Sequence, residues 1–143
     1  MSTTFKATIE HVHHTTSRAS VRSHTMLVDR GIAKGGFDLG PAGGEYQLVA
    51  LGGCFTSHLL AAIRAREAAV SNVKVAVSGT LDGTPERFTG FTLDVTLDGD
   101  PELARKLITI ASRACQVMNT MRLAAPVEIT YQGVPIESAE AVA

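Results

Sequence analysis

The sequence predicts an α+β fold in which antiparallel sheets enclose buried helices. Three observations carry this reading. Apolar and polar residues alternate with period two in several short stretches, as in strands with one buried face. A run without any charged residue extends from Tyr46 to Ile63, long enough for a buried helix. The elements also come in runs (three strands, a helix, two strands, a helix, a strand), an order that favours hairpins over parallel βαβ units.

The first strand follows from Phe5, Ala7 and Ile9 alternating with Lys6, Thr8 and Glu10. Ala19 and Val21 alternate with Arg18, Ser20 and Arg22 in a second, and Thr25 to Asp29 forms a third. Gly31 to Gly44 contains six glycines and Pro41, so it is predicted to be a loop. Leu48, Leu51, Phe55, Leu59 and Ile63 then recur at helical spacing, with small residues elsewhere around the axis. Such a helix is apolar nearly all round and is expected to be buried. Gln47, Gly52, Gly53, Thr56, Ser57 and His58 argue against a membrane span, because polar groups are expensive in hydrocarbon. Mid-helix Gly52 and Gly53 each disfavour the helix by about 1 kcal/mol relative to alanine, which points to a close approach there.

Val73, Val75 and Val77, then Phe91, Leu93, Val95 and Leu97, mark two alternating strands around a turn at Asp82-Gly83 and Thr84-Pro85. Asp100 is placed to cap a second helix, with Pro101 at its first position. Leu103, Leu107, Ile110, Ala111, Ala114 and Met118 mark its apolar side. Val127, Ile129 and Tyr131 form a last strand, and the small polar tail after Val134 is expected to fray.

The 143 residues suit a single domain. It divides into N-terminal strands and loop (1–44), a first helix (45–68), and C-terminal strands with the second helix (72–143). Thirteen basic and fourteen acidic residues exclude a strongly basic nucleic-acid binder as the default. No secretory leader is visible, and a cytoplasmic location is expected. A chain this short struggles to cover a central helix on every side, so a homodimer sharing a pair of helices is expected.

Two cysteines, Cys54 and Cys115, exclude an all-cysteine zinc site within one chain. They leave inert buried thiols, a structural disulfide or a redox-active pair. His58, four residues after Cys54, shares its helix face and would either lower the thiol's pKa or act as an ordinary buried histidine. His11, His13 and His14 crowd one strand end without the acid or thiolate partners of a metal site.

The segment Tyr46-Gln47-Leu48-Val49-Ala50-Leu51-Gly52-Gly53-Cys54-Phe55, preceded by Gly35-Gly36-Phe37-Asp38-Leu39-Gly40-Pro41, resembles the first cysteine motif of the OsmC/Ohr superfamily. These are the osmotically inducible protein C and organic hydroperoxide resistance proteins. Ala114-Cys115-Gln116-Val117-Met118-Asn119-Thr120-Met121 resembles the second motif, and element order and spacing agree over nearly the whole chain.

The resemblance implies a homodimeric thiol peroxidase without metal or cofactor, acting in oxidative stress defence. By position, Cys54 would attack the peroxide and Cys115 would resolve the sulfenic acid to a disulfide. A lipoylated protein, a thioredoxin-like protein or a small thiol would reduce that disulfide. The family's arginine falls to Arg22 in preference to Arg18 or Arg30, and its acid to Glu45. Nine helical steps place Glu45 opposite Cys54 and about 13 Å along the axis, so it would act across a dimer or favour the helix N-terminus. Gln116 stands where the family usually has proline, which would let the preceding helix run on. Leu51, Phe55, Leu59 and Met118 are expected to line an apolar pocket suited to an organic hydroperoxide. The competing reading is a small-molecule-binding or redox-sensing protein of the same fold without efficient peroxidase activity.

Overall fold

The computed structural model describes residues 1–136. The tail predicted to fray after Val134 therefore lies, from residue 137, outside the described residues. The chain forms two compact units, one from Met1 to Gln47 and one from Leu48 onward.

The first unit holds a three-stranded antiparallel sheet in the order β1 (Thr8–His13), β2 (Thr16–Val21) and β3 (His24–Val28). β1 starts later than the alternation from Phe5 predicts. Its register pairs Thr8 with Ser20, so Phe5 would face a residue beyond the end of β2, and Phe5 is exposed. Arg22 is likewise past the end of β2. It occupies the β2–β3 turn with φ of 54°, so it does not share a strand face with Arg18. Arg18 pairs across the sheet with Glu10 at 3.5 Å. Asp29, buried at the end of β3, accepts from the Thr15 and Thr16 hydroxyls at 2.7 and 2.9 Å and from the Leu39 N–H at 3.2 Å. These bonds tie the glycine-rich loop to the β1–β2 turn.

Helix α1 (Gly43–Ala65) carries the first cysteine. A second sheet runs in the order β4 (Ser71–Asp82), β5 (Arg87–Asp98), β6 (Val127–Tyr131) and β7 (Val134–Pro135). β4 and β5 form the expected hairpin. β5 and β6 are parallel, pairing Phe91 with Val127 through Val95 with Tyr131, so the sheet is not purely antiparallel. The cause is the connection: α2 (Pro101–Ala114) and α3 (Gln116–Met121) form a long crossover that returns the chain in the same direction. β7 was not expected and follows a tight turn at Gln132-Gly133, both with positive φ.

Leu51, Phe55 and Leu59 of α1, Leu93 and Val95 of β5, and Leu107 and Ile108 of α2 are fully buried in one apolar cluster. Asp100 caps α2 as predicted, its carboxylate accepting from the Leu103 N–H at 2.9 Å. Gly52 is the predicted close approach, because a Cβ there would lie 2.6 Å from Val77 Cγ2 on β4. Around α1 the prediction of burial on all sides holds for one face only. By length and composition the helix could cross a membrane, yet Leu51, Phe55 and Leu59 belong to a protein core. Val49 and Leu60 on its other side are 60% and 50% exposed.

Candidate redox site

Cys54 sits half-buried in the middle of α1, and Cys115 is fully buried at the α2–α3 junction. Both are free thiols, and Cys54 lies near enough to Cys115 to push its pKa up. The fold thus joins two thiols that stand far apart in the chain.

Cys115 has an extended backbone, with φ of −75° and ψ of 107°, which ends α2 and starts α3. The expectation that Gln116 lets the preceding helix run on is therefore corrected. The break needs no proline because side chains satisfy the exposed helix ends. Cys115 Sγ accepts from the Met118 N–H at 3.4 Å, and Asn119 Nδ2 donates to the Arg113 carbonyl at 3.2 Å. Burial pushes the Cys115 thiol up from 9.0 to about 11. The Met118 and Val117 N–H donors pull it down, while Cys54 adds to the rise. Cys115 is therefore a thiol at neutral pH.

Gln116, the first residue of α3, projects its amide oxygen between two groups of α1. The Cys54 thiol donates to Oε1 at 3.3 Å, and His58 Nε2 donates to the same oxygen at 2.9 Å. His58 is thus bound into the site through a residue that the sequence marked only as a departure from the family pattern.

Arg122 ends α3, and the sequence reading missed it. Its Nη1 and Nη2 are buried with no hydrogen-bond partner among the described residues. Burial lowers the guanidinium's pKa, and the neighbouring Cys115 sulfur raises it. The available signal was that Arg122 is the only charged residue from 114 to 127, in the segment following the second cysteine.

Among the described residues, the other predicted site residues have only local side-chain partners or none. Arg22 is exposed in its turn, and Arg30 is exposed beyond β3. Glu45 stands in the first turn of α1, where its Oε1 accepts from the Ala42 N–H at 2.9 Å. His11 Nε2 donates to the His14 carbonyl at 2.9 Å, and His14 packs edge-on against Phe37. Leu51, Phe55, Leu59 and Met118 do not wall an open pocket as expected, since all four are fully buried in the core. Among the described residues, an accessible apolar groove of about 680 Å³ lies instead between the outer face of α1 and β4. Val49, Gly53, Ser57, Leu60, Val75 and Val77 help to line it.

A family model described as OsmC-like protein matches residues 35–130. A search of the curated proteins found no match. Among solved structures, an organic hydroperoxide resistance protein OsmC from Legionella pneumophila is 19% identical, with a TM-score of 0.71 over 90% of this chain and 96% of that one. An organic hydroperoxide resistance protein from Elizabethkingia anophelis, with thiocyanate bound, is also 19% identical. Its TM-score is 0.72 over 92% of this chain and 96% of its own. An OsmC-like protein from Mycoplasma pneumoniae is 15% identical, with a TM-score of 0.76 over 92% and 99%. At these identities the likeness is one of fold.

Proposed function

This chain belongs to the OsmC-like protein family, and from that premise we propose that it is a thiol peroxidase reducing organic hydroperoxides with Cys54 and Cys115. The Cys54 thiolate attacks the peroxide, forming an S–O bond and breaking the O–O bond. The departing alkoxide takes a proton and leaves as the alcohol. Cys115 then attacks the Cys54 sulfenic acid, water leaves, and a disulfide forms before over-oxidation can occur. A dithiol (a lipoylated or thioredoxin-like protein) or two equivalents of a small thiol reduce it and are oxidised to a disulfide. No cofactor enters this cycle.

The observation that carries the reading is that a half-buried and a buried thiol from distant parts of the chain lie near enough to perturb one another, with the Arg122 guanidinium near enough to the buried one to feel its charge. The division of labour follows from access and protonation. Cys54 is the sulfur that a peroxide can reach, and Cys115 is held protonated until an electrophilic sulfur is next to it. By the resemblance, Arg22 is the arginine proposed to serve the thiolate, with Arg18 and Arg30 as its alternatives. Glu45 acts first as a partner for the start of α1.

In the same reading residues 1–143 are one OsmC-like domain, and the protein is a cytoplasmic homodimer. The exposed Val49 and Leu60 and the open groove beside them give a second copy an apolar face to cover. The test is steady-state consumption of cumene hydroperoxide with dihydrolipoamide as reductant. Wild type should turn over, and Cys54→Ser should fall to the uncatalysed rate. A Cys54→Ser protein with full activity would overturn the proposal.

A further inference from the structure

We propose that Gln116 is a positioning residue that couples the charge on Cys54 to the tautomer of His58 through rotation of its amide. The inference deepens the peroxidase reading and rests on it, because it concerns how the attacking thiolate is held.

Two hydrogen bonds converge on a single atom. Gln116 Oε1 accepts from the Cys54 thiol at 3.3 Å and from His58 Nε2 at 2.9 Å. An amide oxygen has two lone pairs, so it satisfies both donors at once. This arrangement needs Cys54 as thiol and His58 protonated at Nε2. When Cys54 ionises, its proton leaves to solvent and the sulfur becomes an acceptor facing an acceptor. A half-turn of the amide resolves the conflict by exchanging oxygen and nitrogen at nearly the same points. The amide nitrogen has two hydrogens. One then donates to the thiolate, and the other to His58 Nε2, which must now offer a lone pair. His58 remains neutral and carries its proton on Nδ1.

A thiolate–imidazolium pair fits neither orientation. With oxygen inward the thiolate is repelled, and with nitrogen inward Nε2–H meets a donor. Gln116 thus favours a thiolate held by an amide donor beside a neutral imidazole. The other titratable neighbours are Cys115, whose thiol burial and Cys54 push up so that it stays protonated, and Arg122, which interacts electrostatically with Cys115. Neither bonds to the Gln116 amide.

The backbone makes the test clean. Gln116 is the first residue of α3, a position where proline fits and where no intrahelical N–H bond is lost. Gln116→Pro therefore removes the amide without breaking the helix. The imidazole ¹⁵N resonances of the reduced full-length protein are followed against pH, assigned with His58→Gln, and compared with the rate of Cys54 alkylation by iodoacetamide. In wild type His58 should pass from Nε2–H to Nδ1–H over the pH interval in which alkylation rises. In Gln116→Pro the tautomer should no longer follow Cys54, and alkylation at fixed pH should slow about tenfold, the size of one lost hydrogen bond to a charged group. Gln116→Glu, which cannot donate, should instead leave His58 doubly protonated while Cys54 remains a thiol. An unchanged Nε2–H form through Cys54 ionisation, or an imidazolium beside the thiolate in wild type, would overturn the proposal. Peroxide consumption is measured separately. Its absence would remove the peroxidase reading while leaving the tautomer result intact.

Discussion

Cys115 illustrates how a residue's environment assigns its role. A thiol raised to about 11 inside the core contributes stability that is fully present below 9.0 and lost as pH climbs to about 11. Alkaline denaturation followed by far-UV circular dichroism should therefore show a loss over that interval which Cys115→Ser does not show. The buried guanidinium of Arg122 gives a second residue-scale prediction. It stands beside the sulfur that must leave as thiolate when the disulfide is reduced. Arg122→Met, which keeps the stem but not the charge, should slow reduction of the oxidised protein by dihydrolipoamide about tenfold, the size of a one-unit rise in the leaving thiol's pKa when a nearby cation is lost. Stopped-flow thiol release would measure it, and an unchanged rate would remove Arg122 from the account. The two cysteines were legible in the sequence because motifs fix them. Arg122 was not, because nothing in a linear string says that a guanidinium at a helix end turns inward with no hydrogen-bond partner among the described residues.

Among the elements, α1 was the most legible and the most instructive in its departure. Its apolar spacing and paired glycines predicted a helix approached closely, and Gly52 meets Val77 as that argument requires. A side chain at Gly53 would meet nothing within 4 Å among the described residues, and Gly53 is exposed. The two positions should behave oppositely. Gly52→Ala should destabilise by about 1–3 kcal/mol, because Val77 is β-branched and cannot swing aside cheaply. Gly53→Ala should stabilise an isolated chain by about 1 kcal/mol but weaken association if a second copy closes on that face. Urea unfolding and sedimentation equilibrium separate the two effects.

The parallel β5–β6 pairing was not legible, since alternation gives the face of a strand but not its direction. Within the first unit Asp29 is the fastening point. The Thr15 hydroxyl leads the donors that hold its carboxyl down at about 2, against an ordinary 3.8. That stability is present above pH 3.8 and is lost as pH falls to about 2, so Asp29→Asn should flatten the acid limb of a thermal-stability profile.

For the whole molecule, the order of elements was enough to give the α+β class, whereas the site required three dimensions. A chain of 143 residues leaves one side of its most apolar helix uncovered, and self-association is the proposed remedy. Leu60→Glu should shift sedimentation from dimer to monomer if this face is the interface.

The deepest claim concerns chemistry between the two sulfurs, and one measurement reaches it most directly. The reduced protein is treated with one equivalent of cumene hydroperoxide, digested without reductant and mapped by mass spectrometry. The account predicts a single product in which the Cys54 and Cys115 peptides are joined within one chain. Recovery of both peptides as free thiols, with the peroxide unconsumed, would contradict it.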